Sequence, residues 1–390
     1  MPSSSFLTLF LLTSIFFIGF LSRISLAPLL PHIEREFSLT HGGAGAIFLF
    51  LSFGYAVGLI FSSFLSSKLT HRKMVFISAF LSGIVLLLFP FGAGDILTLK
   101  FLFWGLGVAL GIYLPSGVAT LTSVFEERHW GKAIAIHEFA PNSSFVLSPL
   151  IVQALLEITK WEHIFVLFGL ISLSLSFVFL IFGKGGNFKA QVPTPSTLKL
   201  LIKNRSLILM AIIMGLGVGA SLGVYNMLPL YLIAERNLNE KSANTLIALS
   251  RILSIGASFF SGMISDRFGP KRTLKLIFWG SALSTFLLGS VEKPLIPLVL
   301  LQAIFVASFF PPAFSMLSHM VEPQLRNLSV SFAVLSGTIV GGGVIPALIG
   351  TIGDKLTLGM GFSIFGLSLI IVPYFVSKMS LLDKRLPTRY

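Results

Sequence analysis

Residues 74–94 read MVFISAFLSGIVLLLFPFGAG, and these 21 residues between Lys73 and Asp95 carry no charged side chain. A helix rises about 1.5 Å per residue, so such a stretch spans the ~30 Å hydrocarbon core of a bilayer. The pattern recurs: 20 residues between His163 and Lys184, and 22 between Lys355 and Lys378, hold no Lys, Arg, Asp or Glu. Of the 390 residues, 54% are apolar and 11% charged, whereas soluble proteins carry roughly 25% charged residues. Composition therefore excludes a water-soluble fold and makes the lipid bilayer a partner.

Working outward by charge clusters and Gly/Pro breaks, we expect twelve transmembrane helices near residues 6–31, 43–67, 74–94, 97–125, 131–156, 163–183, 206–234, 242–265, 274–291, 294–320, 327–350 and 357–378. Residues 184–205 combine Gly and Pro with five Lys/Arg and read as a polar linker. The expected division is a six-helix bundle over 1–183, a cytoplasmic linker 184–205, a second bundle over 206–378 and a cytoplasmic tail 379–390. The first 22 residues contain no Lys or Arg, which argues against a secretory signal peptide and for a retained first span.

Lys and Arg collect in cytoplasmic loops. With both termini cytoplasmic, 19 of them fall on that side, 6 on the other, and Arg23, Lys100 and Arg251 within spans. The acids sort oppositely, with 5 inside, 9 outside and Glu138 in a span. The net charge of +13 is thus a topology signal, and no nucleic-acid partner is expected. Localisation in the cell (inner) membrane follows as an expectation. There is no cysteine, hence no disulfide, thiolate metal site or cysteine nucleophile.

The halves repeat each other. Pro28-Leu29 followed by Glu34-Arg35 recurs as Pro229-Leu230 followed by Glu235-Arg236, and Pro115 and Pro149 recur as Pro311 and Pro346. Internal repeats on this scale are a transporter signature. Between expected helices 8 and 9 stands Gly262-Met-Ile-Ser-Asp266-Arg267-Phe-Gly269-Pro-Lys271-Arg272. This resembles the G-x-x-x-D-R-x-G-x-[RK]-[RK] signature of the major facilitator superfamily. The resemblance extends over the chain through helix count, repeat and linker, and implies an all-helical fold of two pseudo-symmetric six-helix bundles with one central site. On that reading Gly262 allows close helix approach, Asp266 accepts from a neighbouring helix N-terminus, and the basic tail anchors the loop. The equivalent stretch of the first half, Ser63 to Lys73, lacks the glycines and the acid.

Charges inside spans mark pathways, since a central Arg costs roughly 2.5–3.5 kcal/mol on insertion scales. Arg23 lies in Ser22-Arg23-Ile-Ser25-Leu-Ala27-Pro28, a segment similar to helix 1 of the organic-anion and organophosphate transporting branches of that superfamily. Arg251 sits mid-helix between Ser250 and Ser254. Both are candidate counter-ions for an anionic substrate; the alternatives are snorkelling for Arg23 and a structural ion pair with Glu138 for Arg251. Helix 5 carries His137, Glu138, Pro141, Asn142, Ser143 and Ser144. The resemblance implies that it faces helix 8, with Glu138 and Asn142 within reach of Arg251, and that Tyr113, Tyr225 and Asn226 lie on cavity-lining helices. Glu138, aided by His137, is then the expected proton carrier, switching as it competes with substrate for Arg251.

The 39 Phe suit either a lipid-facing belt or a cavity for amphipathic molecules. Gly54-xxx-Gly58, Gly107-xxx-Gly111 and Gly337-xxx-Gly341 read as close helix contacts. Gly105-Leu-Gly107 follows no strand, and His137-Glu138 has Pro141 where a zinc protease needs its second histidine, so no enzyme, cofactor or metal is expected. The sequence thus predicts a monomeric secondary transporter of a small organic anion, coupled to protons. A proton-driven exporter of drugs or lipids is the alternative, and a non-transporting membrane sensor a second.

Overall fold

In hydrocarbon, backbone N–H and C=O groups find no water, so a spanning chain satisfies them within helices. The computed structural model describes residues 3–190, 204–320 and 326–379. Among them the regular structure is wholly helical. The helices of the first half are α1 (Ser5–Glu36), α2 (His41–Lys68), α3 (His71–Leu87), α4 (Ile96–Ser123), α5 (Glu127–Leu156) and α6 (Trp161–Phe182). Those of the second are α7 (Arg205–Ala234), α8 (Glu240–Phe268), α9 (Pro270–Ser290), α10 (Leu295–Ser318), α11 (Ser329–Lys355) and α12 (Leu358–Lys378). Ten of these are long and apolar enough to cross a membrane. The others are α3, with 17 residues, and α9, which opens on Lys271, Arg272 and Lys275. Most of the linker, residues 191–203, and the tail beyond Met379 lie outside the described residues.

Several helices break where proline dictates. A proline removes the N–H that would bond the carbonyl four residues back and crowds that carbonyl. α1 is interrupted at Ser25, three residues before Pro28, and α4 at Ile112, three before Pro115. α10 breaks at Ser308–Phe309 ahead of Pro311, and α12 tightens into a 3₁₀ turn over Leu369–Ile371 ahead of Pro373. In α7 and α11 the adjustment is wider: π-helical turns over Gly219–Gly223 and Gly337–Val344 precede Pro229 and Pro346.

Glycines set the helix spacing. A Cβ on Gly54 or Gly58 would run into the backbone carbonyls of Trp104 and Val108, and one on Gly107 or Gly111 into those of Leu51 and Tyr55. The two small-residue faces of α2 and α4 therefore interlock. Replacing Gly107 by leucine is expected to cost about 4 kcal/mol or more, since backbone rather than a flexible side chain must move. Size-exclusion chromatography of a fluorescent fusion should then show loss of the monodisperse peak, while Gly94→Ala, with open space around it, leaves it intact.

The halves meet at the end opposite the termini. There Arg35 Nη2 donates to Glu240 Oε1 at 2.6 Å, and His32 Nε2 lies 3.0 Å from Glu240 Oε2. The Gly42 amide donates to Asp354 at 3.0 Å, and Asn244 donates to Gln153 at 3.1 Å. Gly45 and Gly350 let α2 and α11 approach backbone to backbone, against Pro346 and His41. The repeated Glu-Arg pairs serve this end too. Glu34 holds His41 at 3.0 Å, and Glu235 accepts from the Leu358 and Gly359 amides at the N-terminus of α12.

At the other end, the start of the linker straps the first half. Lys184 N donates to Thr8, Gly186 N to Ser123, and Ala190 N to the Ser66 carbonyl, while Arg72 and His71 donate back to Gly186 and Phe188. Gly185 and Gly186 have φ of 80° and 67°, which requires glycine there. The strap lies where the first half lacks the signature loop of the second.

Candidate functional site

Between the halves lies a cavity of about 590 Å³. It runs from Arg23 and Phe145, beneath the closed seam, towards the end of the termini, reaching Ile134, Phe314 and Val330. Of the expected site residues, Arg23, Tyr113, Glu138 and Asn142 line it; Arg251, Tyr225, Asn226 and His137 do not.

Arg23 occupies the turn before the break at Ser25, where the Ser25 hydroxyl meets that of Ser148 at 3.0 Å. Its guanidinium lies 4.6 Å from the centre of the Tyr55 ring. Among the described residues it has no carboxylate or carbonyl partner. A pocket of about 10 Å³ between Arg23, Asn226 and Gly342 has room for roughly one water. Asn226 itself is buried and donates to the Gly342 carbonyl at 3.2 Å.

His137 is fully buried in α5 with its ring stacked on Phe16, centroids 4.6 Å apart. Its neighbours fix its tautomer. The single Tyr113 hydroxyl hydrogen is donated to the Leu12 carbonyl at 2.7 Å, so the 3.0 Å contact with His137 Nε2 places a hydrogen on that nitrogen. In the neutral ring Nδ1 is then bare, 3.5 Å from Glu138 Oε1, whose side chain is 46% exposed towards the cavity. One added proton has two adjoining seats, Nδ1 and the Glu138 carboxylate. Asn142 donates to the Glu138 carbonyl at 2.8 Å and faces the cavity one turn further on.

Arg251 departs from expectation. Its side chain is 4% exposed and lies against Tyr225 and Phe145, 4.7 and 5.5 Å from the ring centres. Its Nε and Nη2 have no hydrogen-bond partner, and the buried Tyr225 hydroxyl stands by Ser148 without a well-formed bond. The expected contact with Glu138 is absent: Arg251 meets α5 at Phe145, seven residues or about 10 Å further along the helix. Phe145 stands between Arg251 and the cavity.

The signature loop also differs in part. Gly269 adopts φ of 86°, a conformation that calls for glycine, and Lys271 Nζ donates to the Met379 carbonyl at 2.8 Å. A Cβ on Gly262 would meet Pro311 at 3.7 Å, an ordinary contact, so no close approach there requires glycine. Asp266 is exposed and has no partner among the described residues, while Arg267 lies over the adjacent Phe268.

Sequence reasoning passed over Tyr55 and the paired π-helical turns. Gly341 packs against the Gly219 amide, and the two turns carry Ser221 and Thr338 into the cavity wall. π-Turns frequently sit at functional sites. The available signals were the glycine clusters at 215–223 and 337–343, and the presence of a tyrosine, one of only six, in the Gly54-xxx-Gly58 span.

A family model described as Major Facilitator Superfamily matches residues 12–288 and 223–388. An uncharacterized MFS-type transporter, YbcL of Bacillus subtilis (strain 168), is 21% identical over 349 residues, 86% of this chain and 87% of the relative. Two solved structures share the fold. A bacterial homolog of the human lysosomal transporter Spinster, inward-facing and unoccupied, has a TM-score of 0.76 at 13% identity over 97% of this chain and 95% of its own. A D-xylose–proton symporter has a TM-score of 0.75 at 14% identity over 95% of this chain and 97% of its own.

Proposed function

The chain belongs to the major facilitator superfamily, and from that premise we propose that it is a secondary active transporter moving an organic anion by alternating access, coupled to protons. The observation that carries the anion reading is Arg23, a cation that lines the central cavity with no acidic partner among the described residues. A planar guanidinium presents paired donors that match a carboxylate or phosphate. Glu138 on the same wall and the buried His137 behind it supply adjoining proton seats, and a D-xylose–proton symporter shares the fold. Arg251 serves as a second counter-ion in a state where Phe145 swings aside.

The protein acts as a monomer in the cell (inner) membrane with both termini and residues 184–205 cytoplasmic, so the cavity described here faces inward. The 19-to-6 bias of Lys/Arg supports this orientation. Because the chain has no cysteine, Gln191→Cys reports cleanly. An impermeant thiol reagent should label it only after intact cells are opened; labelling from outside intact cells would invert the topology.

Ligand class is tested by thermal shift of the purified protein against carboxylates, phosphorylated metabolites and lipophilic cations. A ligand at 100 times its Kd adds about 2.7 kcal/mol to the folded state. Stabilisation by anions is expected, and stabilisation by lipophilic cations alone would reverse the assignment.

A further inference from the structure

The two walls of the cavity differ in chemistry. The first half contributes the charged and most of the hydrogen-bonding groups, Arg23, Tyr55, Ser78, Tyr113, Glu138 and Asn142, set among apolar side chains such as Phe16, Phe20 and Leu110. The second half contributes Val218, Leu222, Phe310, Phe314, Val330 and Val334, and its polar side chains there are the hydroxyls of Ser221, Ser258 and Thr338. Among the described residues no charged side chain of the second half lines the cavity. The apolar face comes from α7, α10 and α11, and α10 and α11 set two such side chains each at i and i+4, on one face of the helix.

We propose that the transported anion is an amphipathic monoanion, its charged head held at Arg23 and its apolar body laid against the wall formed by α10 and α11. This rests on the anion-transporter reading above and names the substrate class for the same site. Three features support it. The cavity, about 590 Å³, lies within the ~300–1,000 Å³ range of sites that enclose drug-sized ligands, far more than a two- or three-carbon acid fills. A compact polyanion leaves the apolar wall facing a hydrated solute and forfeits its burial; an aryl or alkyl body covers it. Charge limits the head: among the described residues Arg23 and Glu138 are the charged side chains on the lining, and once Glu138 is protonated in the proposed coupling the lining carries a single positive charge, so one negative charge on the ligand is matched and a second or third is not.

The test compares two monoanions of growing apolar surface with two compact polyanions. Phenylacetate, 1-naphthylacetate, succinate and citrate are titrated calorimetrically into the full chain in lipid nanodiscs, with 1-naphthylmethylammonium as the cationic counterpart. At the usual burial coefficient, about 55 Å² of apolar surface removed from water gives a factor of ten in affinity. Naphthylacetate is therefore expected to bind at least about tenfold more tightly than phenylacetate, and both more tightly than succinate or citrate. Val334→Thr, nearly isosteric, together with Phe314→Ser should shrink the naphthyl-to-phenyl ratio towards one, with size-exclusion profiles confirming folded protein. A ratio near one in the unmodified chain, tighter binding of citrate or succinate, or no binding of either arylacetate overturns the amphipathic class. Preference for the naphthylmethylammonium cation overturns the anion reading itself, so the two failures are distinguishable.

Discussion

Arg23→Lys lowers affinity for the transported anion at least about tenfold, and Arg23→Gln about a hundredfold or more, with the protein remaining folded. Lysine keeps the charge but loses the planar fork and much of the stacking over Tyr55, so a bidentate contact becomes a point contact. Glutamine removes the charge as well, and hydrogen bonds to charged groups are worth about 1.5–3 kcal/mol each. The fold should tolerate both changes, because Arg23 has no acidic partner among the described residues to leave unpaired. Calorimetric titration with the anion that gives the largest thermal shift reads the loss. Unchanged affinity in both variants would return Arg23 to a residue that reaches for lipid headgroups.

Glu138→Gln should abolish accumulation driven by an inward proton gradient while preserving binding and exchange of the anion. The geometry gives the reason. With Nε2–H committed to Tyr113, His137 takes a further proton only at Nδ1, and Glu138 Oε1 is 3.5 Å from that atom. On the proposed coupling the pair shares one transferable proton between a buried ring and a carboxylate that lines the cavity, and the carboxylate is its route in and out. Glutamine mimics the protonated carboxylate but exchanges nothing, leaving His137 sealed behind Phe16 and Tyr113. Liposomes carrying the variant should equilibrate labelled anion but not concentrate it. Accumulation equal to that of the unmodified protein would leave Glu138 a structural neighbour of His137.

The scaffold was legible because hydrocarbon imposes simple arithmetic. Charge-free runs marked the spans, glycine pairs marked the α2–α4 contact, and Pro28, Pro115, Pro311 and Pro346 stand just beyond the places where helices break. Arg23, Tyr113, Glu138 and Asn142 came to line one cavity because each is a polar residue inside an apolar span. Arg251 met the same criterion and went elsewhere. A polar residue in a span must leave the lipid, but a helix register shift of two turns decides whether it meets Glu138 or the rings of Phe145 and Tyr225. The apolar wall was illegible for a related reason. Val330, Val334, Phe310 and Phe314 look like lipid-facing residues in sequence, and only the packing of α10 and α11 turns them inward. The same holds for Tyr55, whose meaning depends on Arg23 lying over its ring.

The central claim, an anion and a proton moving together through a site anchored by Arg23, is tested most directly in liposomes that enclose a pH-sensitive dye. Arylsulfonates suit the assay, because they stay ionised and do not cross lipid as neutral acids. Added outside liposomes that carry the unmodified protein, an arylsulfonate should acidify the lumen faster than in protein-free liposomes, and the response should vanish with Arg23→Gln. Acidification that persists in Arg23→Gln, or a dye response to lipophilic cations with none to arylsulfonates, would contradict the account.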